Sequence, residues 1–295
     1  MSIETRRVMF VHAHPDDETL ITGGTIARCL REGAEVQVVT CTLGEEGEVI
    51  GDEYALLCSG EADQLGGYRI LELTRALEAL SAAAPGPTVR PTFLGGAGRF
   101  RDSGMADMPS SKNPRAFVNA DIARVAATLS ELICAFRPHV VVTYDPDGTY
   151  GHPDHIRVHA VTHAAIDHAA ATEWDVPKLY WAVVGREFAR TATEALRDIP
   201  AGWDDSPESG LGRYPDGAIT TRIDVTCVLE EKRSAMRAHA TQVSVSRDGQ
   251  CYALSNSIVQ PILAEEQFVL VRVSSQAAPA PPGGGGDETD LFAGL

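Results

Sequence analysis

The chain has 295 residues, 44% of them hydrophobic, and carries 25 Lys and Arg against 41 Asp and Glu for a net charge of −16. That length and composition suit a globular chain with a full core, while the acidic balance and the lack of a basic run exclude nucleic acid as an expected partner. No stretch reaches membrane-spanning length and the apolar segment before His12 is too short for a leader, so a soluble, cytoplasmic chain without a membrane partner is expected.

Residues 7–13 form an apolar run that reads as a buried strand. A polar turn follows, then a helix over 19–31 closed by Gly33, then a β-rich strand within 35–42. Strand, helix and strand in the first 45 residues make the βαβ unit of a parallel sheet. A helical stretch over 61–80 is interrupted by Gly66-Gly67, a short strand lies near 92–94, and a helix is expected over 121–136. Val140–Tyr144 is the clearest strand, and a loop over 145–151 leads into a helix beginning near Pro153.

This alternation predicts an α/β fold with a Rossmann-like, mostly parallel sheet flanked by helices over residues 1–173. The pattern then loosens into a strand over 174–185, a turn-rich stretch over 202–217, a strand over 218–225 and a helix over 229–240. Residues 174–273 are expected to form a smaller C-terminal α/β region packed over the active-site end of the sheet. Residues 274–295, with four consecutive glycines and several prolines, are expected to be a flexible tail. The cysteines, Cys29, Cys41, Cys58, Cys134, Cys227 and Cys251, are scattered without a Cys-x-x-Cys pair and are expected to be reduced.

Two segments carry chemistry. His12-Ala13-His14-Pro15-Asp16-Asp17-Glu18 follows the first strand, and Tyr150-Gly151-His152-Pro153-Asp154-His155 follows the loop after Val140–Tyr144. In a parallel sheet both lie beyond the carboxyl ends of strands, where ligands bind. Isolated His-Pro and Asp-Pro pairs are ordinary turn formers. Two related clusters at two strand ends point instead to a metal site, because imidazole and carboxylate suit zinc or ferrous iron.

His14-Pro15-Asp16-Asp17 together with His152-Pro153-Asp154-His155 resembles the signature of the LmbE-like, or PIG-L, metal-dependent deacetylases. Longer stretches continue the resemblance, among them 40–51, 95–99, 101–105 and 239–242, so that it covers nearly the whole chain. The resemblance implies His14, Asp17 and His155 as metal ligands, with Zn2+ or alternatively Fe2+ as the cofactor. It implies Asp16 as the general base that takes a proton from the attacking water. Tyr150 is expected to stabilise the oxyanion, His152 to stabilise that charge or protonate the leaving amine, and Asp154 to hold and tune His152. Arg69 and Asp102 align with residues that bind hydroxyls of the substrate. That substrate is implied to be a small-molecule glycoside of the glucosaminyl-inositol class, cleaved at its N-acetyl amide.

Other features are set aside. His155, His159 and His163 share one helix face, but a straight helix offers only adjacent pairs to one ion, so His159 is not expected as a ligand. His12 is expected to pack or to act behind the ligands. No G-x-G-x-x-G follows the first strand, and no G-x-S-x-G elbow is present. Two alternatives remain. One is an amidase of the same family acting on thiol conjugates of the same sugar core, against which stands the absence of lysine in Thr19-Leu20-Ile21-Thr22-Gly23. The other is a non-catalytic sugar-binding protein on the same scaffold.

Overall fold

The sheet grows outward from β1 (Arg7–His12), whose residues 8–12 are buried on both faces, as a run of apolar residues in a parallel sheet requires. The computed structural model describes residues 5–205, 212, 214–274 and 288–295. After β1 come α1 (Asp17–Arg31), β2 (Glu35–Thr40), α2 (Leu65–Leu80), β3 (Thr92–Phe93), α3 (Ile122–Phe136) and β4 (Val140–Tyr144). The short α4 (Gly148–Gly151), the long α5 (Pro153–Thr172), β5 (Lys178–Val183) and α6 (Arg186–Ala195) follow. The last elements are β6 (Thr221–Asp224), α7 (Leu229–Ala238), β7 (Ser244–Val245), β8 (Cys251–Ala253), β9 (Gln260–Pro261) and β10 (Glu265–Val273).

Seven strands make one sheet in the order β3-β2-β1-β4-β5-β10-β6. The pairs among β3, β2, β1, β4 and β5 are parallel, whereas β10 runs antiparallel to both β5 and β6. The fold is therefore the expected α/β sheet flanked by helices. Side chains alternate across β1. Val8 and Phe10 pack with Ile26, Leu73 and Leu77 under α1 and α2, while Met9 and Val11 pack with Leu129, Ile133 and Val161 under α3 and α5. Among the described residues no helix is long and apolar enough to cross a membrane.

Three local differences from expectation have physical causes. The glycine pair that looked like a break sits in the first turn of α2, where a side chain on Gly66 would meet Glu45 and Leu43. Within 174–273, the strands β5, β6 and β10 extend the main sheet, and β7-β8-β9 form a separate antiparallel sheet beside α7. Of the expected tail over 274–295, residues 275–287 lie outside the described residues. Beyond them Glu288 bridges to Thr221, and Leu291 and Phe292 are buried in the core, so the chain end is packed rather than free. Lys178 Nζ and Tyr180 Oη, reaching Glu288 at 2.9 Å and 2.6 Å, anchor that segment.

Candidate metal centre

The end of β1 delivers His14 and the start of α1 delivers Asp17, and a local bond fixes their relation: the His14 backbone N–H donates to Asp17 Oδ2 at 2.8 Å. The opposite wall is the start of α5. His152 caps that helix by accepting the Asp154 N–H on Nδ1 at 3.1 Å, and Pro153 occupies the first turn, where no amide donor is needed. His155 then points back across the strand ends to His14.

His14 Nδ1, Asp17 Oδ2 and His155 Nε2 form a nearly equilateral triangle, with separations of 3.4 Å, 3.4 Å and 3.3 Å. A four-coordinate ion with bonds of about 2.0–2.1 Å has ligand–ligand edges of roughly 3.3–3.4 Å. The triangle thus has the dimensions of one face of a tetrahedral site. All three residues are buried, so their positions are set by packing rather than by solvent. The other ring nitrogen of His14 faces Asp154 Oδ2 at 3.3 Å and Asp102 Oδ1 at 3.5 Å. A carboxylate behind a ligating imidazole fixes its tautomer and raises its basicity. His152 closes the group, its ring centroid 4.6 Å from that of His14 and 5.1 Å from that of His155.

The electrostatics favour a cation at this point. Burial works against charge on His14, yet Asp102, Asp154 and Asp17 outweigh it and hold the ring well above its usual value. Burial likewise opposes ionisation of Asp17, and His155 and His14 override it, keeping that carboxyl well below the usual range. His152 behaves differently. Burial, reinforced by His14 and His155, pushes it down to about 3. Asp16 is raised to about 6, by burial first and by Asp17 as well, against the pull of Arg69.

Asp16 stands beside the triangle with φ of 117° and ψ of −33°, in the left-handed half of backbone space that non-glycine residues avoid. Arg69 reaches it from α2: Nη2 donates to Asp16 Oδ2 at 3.0 Å and to Pro15 O, and Nη1 donates to Gly44 O at 2.8 Å. Gly44, at φ of 66°, leaves room for that guanidinium, since a Cβ there would lie 2.1 Å from Nη1. Tyr150 meets His155 edge to face with ring centroids 5.0 Å apart, and burial pushes its hydroxyl above its usual value.

The structure therefore brings His14, Asp16, Asp17, Arg69, Asp102, Tyr150, His152, Asp154 and His155 into one cluster. One expectation needs correction. The Asp154 carboxylate does not face His152. It accepts the Ser103 N–H at 2.9 Å and faces His14, while only the Asp154 backbone meets His152. Arg69 and Asp102, expected to bind hydroxyls, are 3% and 4% exposed and are also engaged with the protein's own groups. Asp102 accepts from the Gly104 N–H at 2.8 Å and the Glu46 N–H at 3.3 Å besides facing His14.

Sequence reasoning gave no role to three further residues. Tyr144 donates to Asp17 Oδ2 at 2.8 Å, accepts the Ala13 N–H at 2.8 Å, and stacks on His155 with centroids 4.2 Å apart. Glu18 and His239, both fully buried, meet at 2.9 Å behind Asp16. Glu18 was legible as a third carboxylate of its motif, but nothing marked Tyr144 as more than the end of a strand. His159 and His163 turn elsewhere, His159 to Tyr144 O at 3.0 Å and His163 to the Trp181 indole at 3.0 Å. His12 pairs with Thr22 at 3.0 Å behind the strand end.

A mostly parallel sheet presenting a buried histidine–carboxylate cluster at its strand ends defines an α/β protein whose residues there could hold a metal ion. Residues 9–166 match the family of GlcNAc-PI de-N-acetylases, PIG-L, and the chain belongs to that family. It is 57% identical, over 98% of its own length and 98% of the relative's, to a 1D-myo-inositol 2-acetamido-2-deoxy-alpha-D-glucopyranoside deacetylase of Rhodococcus opacus. Solved structures with a similar fold include the N,N'-diacetylchitobiose deacetylase of Pyrococcus horikoshii, at 18% identity and a TM-score of 0.51 over 80% of this chain and 70% of that one. Another is the 4-carboxy-2-hydroxymuconate hydratase of Pseudomonas putida, at 18% identity and a TM-score of 0.53 over 93% of this chain and 100% of that one. Since that neighbour is a hydratase, the shared fold does not by itself select the reaction.

Proposed function

We propose that the protein hydrolyses the N-acetyl amide of 1D-myo-inositol 2-acetamido-2-deoxy-alpha-D-glucopyranoside, the deacetylation step of mycothiol biosynthesis, with zinc held by His14, Asp17 and His155. The observation that carries the reading is near-full-length identity of 57% to a relative of that name, in a chain whose triangle of donors has tetrahedral dimensions. Two imidazoles and a carboxylate suit zinc, and ferrous iron is the second choice. The bound ion would supply Lewis acidity toward water and the amide carbonyl.

The chain's own residues supply the rest. Asp16, raised to about 6 and oriented by Arg69 at 3.0 Å, takes the proton of the attacking water at its carboxylate. His152 accepts a backbone N–H on Nδ1, so the neutral ring carries its proton on Nε2 and donates a hydrogen bond from there to the oxyanion, while the proton that Asp16 took from water is the one available to the departing amine. The Tyr150 hydroxyl, kept protonated, donates to the oxyanion. Asp154 and Asp102 orient His14. Arg69 and Asp102 meet sugar hydroxyls at the edge of the cluster while also positioning the groups they hold.

The test is release of free amine by the zinc-loaded protein from the glucosaminyl-inositol glycoside, beside plain N-acetylglucosamine and a mycothiol S-conjugate, each with and without chelator. Chelator-sensitive cleavage greatest on the glycoside is expected. Preference for the conjugate would move the protein to the amidase reading. Silence on all three with metal bound would leave the sugar-binding reading.

A further inference from the structure

The backbone of Asp16 occupies a conformation that its own side chain does not favour, so something outside the residue must hold it there. On one side Arg69 bonds Pro15 O and the Asp16 carboxylate. On the other, Glu18 Oε2 accepts the Asp16 N–H at 2.9 Å. This second contact fixes the peptide itself, because the direction of that N–H is set by the plane that φ turns.

Glu18 in turn is fixed from far away. Its Oε1 accepts from Thr19 Oγ1 and from His239 Nε2, the latter at 2.9 Å across 221 residues of sequence. A carboxylate only accepts, so His239 carries its proton on Nε2 whether the ring is charged or neutral. His239 is held where α7 ends: its N–H donates to Met236 O at 3.2 Å, and its carbonyl accepts from Gln242 N at 2.9 Å and Val243 N at 2.8 Å. Glu18 and His239 have no solvent exposure, so neither can contact a substrate entering the site.

We propose that Glu18 and His239 are a positioning pair for the reaction, holding the Asp16 peptide so that its carboxylate faces the metal triangle. This rests on the reading of Asp16 as the base. Glu18 does not bond the donor triangle, so its effect falls on the rate and not on metal content. The C-terminal part of the chain thereby acts on the catalytic loop through one hydrogen-bonded chain, His239 to Glu18 to Asp16.

The experiment is a double-mutant cycle on the zinc-loaded full-length protein, using kcat and KM for the glycoside and metal content per chain. A misplacement of about 1 Å in a reacting group costs on the order of 100-fold in rate. Glu18→Ala is expected to lower kcat by roughly that factor, with KM changed less than about twofold and metal content unchanged. Glu18→Gln keeps an oxygen for the Asp16 N–H and is expected to recover most of the loss, as is His239→Gln compared with His239→Ala. In an Asp16→Ala background, Glu18→Ala is expected to lower kcat no further, because its route to the chemistry is already gone. Should Glu18→Ala fail to fold, Glu18→Gln and His239→Gln, each with and without Asp16→Ala, carry the same comparison. Additive losses in the cycle, or loss of metal in Glu18→Gln, would overturn the proposal. Inactive Asp16→Ala with unimpaired Glu18→Ala would overturn it alone, whereas full activity in Asp16→Ala would overturn the base assignment together with it.

Discussion

Tyr144→Phe removes one oxygen from the interior and isolates what that oxygen does. The hydroxyl donates to Asp17 Oδ2 and accepts the Ala13 N–H, each at 2.8 Å, and the side chain has no solvent exposure. Asp17 keeps its bond from the His14 N–H, but the Ala13 amide is left buried without its acceptor. A hydrogen bond to a charged acceptor contributes about 1.5–3 kcal/mol, and an orphaned buried amide costs about 1–3 kcal/mol. With partial relaxation, a loss of about 3 kcal/mol in the stability of the metal-free protein is expected. The same hydroxyl orients the Asp17 carboxylate proposed as a ligand, and loss of such a partner is expected to weaken metal binding by roughly 10–100-fold. Urea unfolding of the metal-free protein and competition with a chelator of known zinc affinity measure the two effects separately. If Tyr144→Phe unfolded at the wild-type urea concentration and held zinc with wild-type affinity, the arrangement around Asp17 described here would be wrong.

Asp16→Asn is expected to keep full metal content while kcat falls by about 10²–10⁴-fold, the range of a lost general base; loss of metal instead would exchange the roles of Asp16 and Asp17. Arg69→Ala is expected to lower kcat as well as to raise KM, because Arg69 bonds both Pro15 O and Asp16, and an effect on KM alone would confine it to substrate binding. Burial raises the thiols of Cys29 and Cys41 well above the ordinary value, whereas Cys227 is exposed. Ellman's reagent should therefore label Cys227 in the native protein and reach Cys29 and Cys41 only after urea is added. His163 is held at about 4, by burial and then by His159, against 6.5 for the free side chain. Between those values the unfolded chain binds the proton more readily, so this group's contribution is present above pH 6.5 and is lost as pH falls toward 4. His163→Gln, which still offers the Trp181 indole an acceptor, should flatten that part of the acid-side decline in urea stability; an unchanged slope would refute the assignment.

Much of the fold was written in local patterns. β1 and β4 carry apolar runs that only a sheet covered on both faces can bury, β2 is marked by its β-branched residues, and the helices between them are long enough to show their period. The weaker elements were harder for a physical reason. β3, β7 and β9 have two residues each, too few for any periodicity, and exist because a neighbouring strand presents its edge. That β10 turns antiparallel and enters between β5 and β6 depends on pairing across long separations, which no local window contains. The composition around 274–295 suggested a free tail, yet Leu291 and Phe292 end in the core because Glu288 finds Lys178 and Tyr180.

The sequence by itself determined which residue types gather after β1 and β4: imidazoles and carboxylates, the donor types that suit a metal ion. That information is local, since His14, Asp16 and Asp17 lie on one turn and His152, Asp154 and His155 on another. Only the tertiary structure decided which partner each of those groups has. It turned Asp154 toward His14 instead of its neighbour His152, engaged Arg69 and Asp102 with the protein itself, and set Tyr144 and His239 behind the site. Hydrogen-bond partners are fixed by distances of about 3 Å between groups that packing brings together, and a separation of 221 residues carries no trace of such a distance until the chain is folded.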